Sequence, residues 1–297
     1  MSDPAQALKD LTKDKEFLVG IDSDGCAFDT MEIKHKECFI PNIIKYWDLQ
    51  AASKYAREAG EFVNLYSKWR GINRWPALLM VFDLLSERAE VRKRGVRMPK
   101  VDALRKWAAS ETKLSNNTLK ALIQTNPDPV LAKALAWSEA VNADIAEMVH
   151  DVPPFPYMRE SLEKMSATAD VIVVSQTPTE ALVREWQEHG IDGYVKVIAG
   201  QEMGSKSEHL GFAMAAGWEP DRVLMIGDAP GDLGAAKANG CLFYPINPGD
   251  EDISWQRFYE EGYDEFIAGT YGGNYQERLI AEFDKYLPEH PPWRGMA

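Results

Sequence analysis

The sequence is poor in cysteine. Its 297 residues hold three, Cys26, Cys38 and Cys241, an odd number without Cys-x-x-Cys spacing. That indicates neither a disulfide framework nor a structural zinc site and suits a reducing cytoplasm, the expected location. Long apolar runs are also missing: nothing approaches the ~20 residues of a membrane span, and residues 1–16 lack the apolar centre of an export signal. No membrane partner is expected. Positive charge is scarce, 33 Lys and Arg against 46 Asp and Glu, for a formal net charge of -13. Such a surface repels phosphate backbones, so nucleic acid is not an expected partner either. Internal repeats are absent, which excludes a solenoid.

What remains is an ordinary globular composition, 45% hydrophobic and 27% charged, in a chain long enough for two cores. Residues 17–21 (Phe-Leu-Val-Gly-Ile) form a short apolar run that stops at an acidic, glycine-containing turn, the pattern of a buried parallel strand. Further apolar runs at 171–174, 195–199, 223–226 and 241–244 alternate with helical segments, which predicts a parallel sheet with helices on its faces. Between them, helical spacing dominates at 51–69, 75–88, 101–109 and 130–149, with Asp128-Pro129 as N-cap and first-turn proline of the last. The first strand needs neighbours, and they lie beyond the Pro153-Pro154-Phe155-Pro156 stretch. The expected fold class is therefore α/β: a doubly wound, Rossmann-like parallel-sheet core from residues 1–30 and 152–297, with an all-helical domain, 31–151, inserted. The aromatic-rich segment 249–293 is expected to finish the core with two helices. Arg88 to Lys106 is a basic block that reads as a solvated helix end or loop.

Three polar turns follow three expected strands: Asp22-Ser-Asp24-Gly, Ser175-Gln176-Thr177 and Gly227-Asp228. In an open α/β sheet, ligands bind beyond the carboxyl ends of the strands, so the turns converge and crowd Asp22, Asp24, Asp228 and Asp232. Two carboxylates ~4 Å apart repel by about 4 kcal/mol at an effective dielectric of 20, which calls for a cation or a raised pKa. Oxygen ligands without histidine favour Mg²⁺. Asp22 can attack phosphorus, giving an aspartyl phosphate, and Asp24 can protonate the leaving alcohol and then activate water. Ser175 and Gln176 are the candidates to bind the phosphoryl group, and Lys206, opening the helix expected in Gly204-Ser-Lys-Ser-Glu-His-Leu210, the candidate to neutralise its charge. Each acid alone has a plainer reading, as a turn or helix cap.

Together these residues resemble the haloacid dehalogenase superfamily, in its phosphatase branch. Asp22-Ser-Asp24-Gly-Cys-Ala-Phe-Asp29 is similar to the first motif, with Cys26 where threonine is usual. Val171-Ile-Val-Val-Ser175 is similar to the second, with Gln176 where many members carry asparagine. Val223-Leu-Met-Ile-Gly-Asp228-Ala-Pro-Gly-Asp232, closed by Gly240, is the most specific match. The resemblance implies that Asp22, the backbone carbonyl of Asp24 and Asp228 hold Mg²⁺, with Asp232 supporting and orienting Lys206. Lys196 is the other candidate for that lysine, because the usual Gly-Lys-Pro around the third motif is missing.

The resemblance further implies that the insertion is a cap that closes over the site and supplies specificity. An acid at Asp24 argues for an oxygen ester over a halide or phosphonate substrate. Within the insertion, Arg70 and Arg74, with Trp69 and Trp75, are candidates to grip the substrate; the plainer alternative puts the tryptophans in a core and the arginines in solvent. The expected partner is a small phosphorylated metabolite, with the oligomeric state left open. A phosphomutase, or a silent binder of a phosphorylated ligand, would use the same residues.

Overall fold

The computed structural model describes residues 3–295. Its five-stranded sheet is wholly parallel, in the order β3-β2-β1-β4-β5, with β1 Phe17–Ile21, β2 Ala169–Val174, β3 Val197–Ala199, β4 Val223–Gly227 and β5 Leu242–Pro245. The run at 195–199 thus yields only three strand residues. β1 lies at the centre, in register with β2 (Ile21 beside Val173) and with β4 (Ile21 beside Ile226).

Side-chain alternation sends Phe17, Val19 and Ile21 to one face, where they pack with Trp186, Trp255, Phe258, Tyr263 and Phe266. Leu18, Ile172, Val174, Val223 and Met225 go to the other, against Leu210, Ala213 and Phe283. Burial on both faces is why these strands read as continuous apolar runs and not as alternating ones. The fold is an α/β doubly wound sheet. The aromatic segment after β5 does pack on the sheet, through Trp255, Phe258, Tyr263, Phe266 and Tyr271.

The chain divides into two compact units. One contains residues up to Met31 and Asp151–Leu287, and the other Glu32–His150 and the segment from Pro288 onward. The last point corrects the division expected above: residues after 287 group with the helical unit, because Trp293 packs on that unit's core. The helical unit has its own apolar centre, in which Trp75 meets Trp107 and Trp137 edge to face at 5.2 and 5.7 Å between ring centres. Its longest helix, Pro129–Met148, starts as the sequence indicates, with Asp128 accepting from the Val130 and Leu131 amides. The helix expected at 51–69 ends at Asn64, and the next begins at Arg74. Between them Gly71 takes φ +79°, a conformation that only glycine adopts without strain. A π-helical turn, Lys34–Phe39, and the helix Asn116–Thr125 have no counterpart in the sequence reading. No helix among the described residues is long and apolar enough to cross a membrane.

β4 ends on Gly227 for a steric reason: a Cβ there would lie 2.4 Å from Cβ and Cγ of Asp232. Backbone and side chain would both have to move, so Gly227→Ala is expected to cost about 1–3 kcal/mol or more of stability. Urea unfolding of the variant beside wild type measures this, and an unchanged midpoint would show that the close approach has no energetic weight.

Candidate active site

Asp22 is the first residue after β1 and Asp228 the first after β4, and because the two strands are neighbours their carboxylates meet. The backbone pairing runs on past the strand, with the Asp22 amide donating to the Ile226 carbonyl at 3.0 Å. Asp232 follows four residues after Asp228, in the first turn of the helix Pro230–Asn239, and accepts from the Ala229 amide at 3.0 Å. Carboxylate oxygens of Asp22, Asp228 and Asp232 all lie within 4.8 Å of one another, and all three residues are buried.

Lys206 joins this trio. It opens the helix Lys206–Met214, whose start is fixed by a capping box in which Ser205 and Glu208 bond each other's backbone amides. From there its Nζ reaches Asp22 Oδ2 at 2.5 Å and Asp232 Oδ1 at 2.6 Å. Burial raises Asp22 to about 6; Lys206 pulls it down and Asp228 pushes it up. Asp232 is likewise raised to about 6, by burial against the opposing pull of Lys206. Burial alone would lower the lysine, but Asp22 and Asp232 outweigh it and hold the ammonium above its ordinary range. Lys196, the alternative lysine, instead pairs with Asp14 and Asp170, at 2.7 and 3.0 Å.

Asp24 is held apart from the trio. Its Oδ1 accepts from Thr30 Oγ1 at 2.5 Å and its Oδ2 from Thr177 Oγ1 at 2.6 Å. A tight turn sets this up: the Ala27 amide bonds the Ser23 carbonyl, the Gly25 amide bonds the Phe28 carbonyl, and Gly25 takes φ +74°. Cys26 points inward, its thiol held protonated by burial and by Asp228 and Asp22, with Sγ 3.7 Å from the Ile226 carbonyl. Ser175 is buried just beyond β2 and its Oγ accepts from the Thr177 amide at 3.2 Å. Gln176 is turned to backbone, donating to the Gly204 carbonyl at 2.9 Å.

The two candidate arginines are engaged inside the helical unit. Arg70 is buried and donates to the Leu65 carbonyl at 2.9 Å. Arg74 donates to Ser138 Oγ and Asn142 Oδ1 at 2.8 and 2.7 Å and lies 5.0 Å from the centre of the Phe39 ring, with its pKa lowered to about 10 by burial. Both are thus bonded to partners in the helical unit and are not free in solvent. Trp75 is buried in the same core, whereas Trp69 is exposed.

The site has residues to which the sequence reading gave no role. Thr30 and Thr177 orient Asp24. Ser23, between the two aspartates, donates to Glu185 Oε2 and accepts from Trp186 Nε1, each at 3.0 Å, which ties the turn to the helix Thr179–Glu188. His209, one turn beyond Lys206, is fully buried, and burial followed by Lys206 pushes its pKa down to about 4, so it adds no second cation. An isolated Thr or Ser carries no pattern in sequence that would mark these roles.

Residues 103–245, a little under half of the chain, match the model of a haloacid dehalogenase-like hydrolase. The match takes in Ser175, Lys206, Asp228 and Asp232, and the register of β1 against β4 adds Asp22 to them. Over that stretch the chain is similar to the haloacid dehalogenase-like hydrolases. No curated protein matches it. Among solved structures, a haloacid dehalogenase-like hydrolase from Xanthomonas campestris is 13% identical, with 88% of this chain and 96% of that one covered and a TM-score of 0.48. A predicted phosphoglycolate phosphatase from Haemophilus somnus is 18% identical, covering 80% and 88%, with a TM-score of 0.43. A putative beta-phosphoglucomutase from Thermotoga maritima is 15% identical, covering 80% and 91%, with a TM-score of 0.39. Such distant likenesses carry no weight in assigning this chain a reaction.

Burial raises Asp22 and Asp232 from an ordinary 3.8 to about 6 in the folded protein. Protonation therefore favours the folded metal-free protein, a contribution complete below pH ~4 and lost as pH rises through about 6. Lys206→Met leaves two buried charges without their cation, which is expected to cost about 3–5 kcal/mol at neutral pH. The deficit should shrink at pH 5, where the carboxylates protonate. Denaturant titrations at the two pH values, in chelator, check this; an equal deficit at both would contradict the assignment of Lys206 as counter-charge.

Proposed function

We propose that this protein is a hydrolase that cleaves a small phosphate monoester with Asp22 as nucleophile and Asp24 as general acid and base. One observation carries the reading: Lys206 bridges Asp22 and Asp232 beside Asp228, while Asp24 is held separately by two hydroxyls. Two carboxylates in different surroundings suit two different tasks.

Lysine and the Ser23 amide, which donates to Asp22 Oδ1 at 2.8 Å, favour the ionised carboxylate and fix its orientation. Asp22 Oδ2 or Oδ1 forms a bond to phosphorus as the ester P–O bond breaks, and protonated Asp24 gives its proton to the departing alkoxide oxygen. Asp24, now ionised, takes a proton from water as the water oxygen attacks phosphorus. The Asp22–phosphorus bond breaks and inorganic phosphate leaves, restoring both side chains. Thr30 and Thr177 keep Asp24 in place through this cycle, since a hydroxyl can donate to the carboxylate and accept from the carboxylic acid.

The trio offers only carboxylate oxygens, three acids against one lysine, a donor set that fits Mg²⁺. Asp22, Asp228 and the Asp24 carbonyl would hold the ion, with Asp232 fixing Lys206. When bound, Mg²⁺ supplies positive charge that offsets repulsion between the carboxylates and the anionic ester. The helical unit is the candidate cap of this hydrolase and the source of its substrate preference.

Phosphate release from a panel of phosphorylated metabolites, by wild type and Asp22→Asn, with Mg²⁺ and with chelator, tests the reaction. Release that needs both Asp22 and Mg²⁺ is expected, with turnover by Asp22→Asn lowered by at least ~10³-fold. Isomerised product without phosphate would favour a mutase, and no turnover on any substrate a silent binder. A second measurement separates metal from chemistry. Because protons compete for the carboxylates, Mg²⁺ should raise the melting temperature more at pH 7.5 than at pH 5. A shift that is absent or independent of pH would remove Mg²⁺ from the site.

A further inference from the structure

The chain passes between its two units three times, at Met31/Glu32, His150/Asp151 and Leu287/Pro288. The first two crossings bracket the insertion and any inserted unit requires them. The third is an addition, and it has no spacer. Leu287 is buried in the core of the α/β unit, and the carbonyl of the next residue, Pro288, accepts from the Lys68 amide of the helical unit at 3.3 Å.

Beyond Pro288 the segment is anchored along its length. Trp293 meets Phe62 edge to face at 5.8 Å, and the Arg88 guanidinium lies 4.5 Å from the Trp293 ring centre. Arg88 is itself buried, 2.5 Å from Glu58 and 4.7 Å from the Tyr55 ring, so this cation–π contact is largely desolvated. Arg294 reaches Glu87 at 2.6 Å and Lys68 lies 3.9 Å from Glu289. Those ion pairs are exposed and contribute little, which leaves Trp293 as the anchor.

We propose that residues 288–294 are a strap, a third tether that limits how far the helical unit can move about the first two crossings, with release of Trp293 from Phe62 and Arg88 as the step that frees it. A body held by two linkers can swing about them, and a third attachment without slack removes that freedom until it lengthens or lets go. The other two crossings are built differently from it and from each other. One lies inside the short helix Thr30–Ile33, which runs into a π-helical turn, and the other is at Asp151, with φ +56°, before two prolines. Neither depends on the chemistry proposed for the aspartates.

All three native cysteines are buried, so spin labels can be placed selectively at Lys120→Cys in the helical unit and Glu277→Cys in the α/β unit, both exposed. A short and then a longer glycine-serine insert between Leu287 and Pro288 adds slack while leaving every anchoring residue in place. The distance distribution between labels is expected to broaden progressively with insert length, and Trp293→Ala without an insert should broaden it as well. Distributions unchanged by both inserts would overturn the strap, whatever the substitution does to folding.

Discussion

Mutual repulsion among buried carboxylates is the constraint on which the rest of this molecule depends. Placing Asp22 and Asp228 at the ends of adjacent strands brings like charges within a few ångströms, where each pair costs about 4 kcal/mol at an intermediate dielectric. Lys206 offsets part of that from a helix start locked by a capping box, and Asp232 both holds the lysine and bonds the turn that carries Asp228. Gly227 is required because Asp232 occupies the space where a side chain would be. A trio that stays short of neutrality with one lysine is suited to a divalent cation and an anionic substrate, and this is the sense in which the repulsion within the cluster and its chemistry are one property.

The α/β part was legible because its signals are short-range. Strands buried on both faces read as apolar runs, and turns at their carboxyl ends read as acidic clusters, so β1, β2 and β4 with Asp22, Ser175 and Asp228 follow from order alone. Lys206 needed more, since two lysines competed and only the pairing of Lys196 with Asp14 and Asp170 separates them. Thr177 stood in the polar turn after β2 without a role of its own, and Thr30 was unmarked: they approach Asp24 from beyond another strand and from six residues downstream, and nothing local pairs either with it.

The helical unit was legible as helix and little further. Its arginines and tryptophans, grouped in sequence around Gly71, suggested a recognition loop, and Arg70, Arg74 and Trp75 also make contacts within the unit, through carbonyls, Ser138 and a tryptophan cluster. Periodicity reports which face is apolar but not which buried polar group will find a partner across the core. The tail after Leu287 was misassigned for a related reason: Pro288-Glu-His-Pro-Pro-Trp lacks any period, and its allegiance is decided by one tryptophan against Phe62 and Arg88.

The most direct test of the nucleophile is to catch it. Asp24→Asn should slow breakdown of a phosphorylated Asp22 more than its formation when the leaving group is a good one, such as p-nitrophenolate. Acid quenching that variant with substrate and Mg²⁺, followed by peptide mass spectrometry, is expected to find phosphate on Asp22. Turnover by wild type with no phosphopeptide in either protein, or with phosphate on another residue, would contradict the assignment on which the proposed reaction rests.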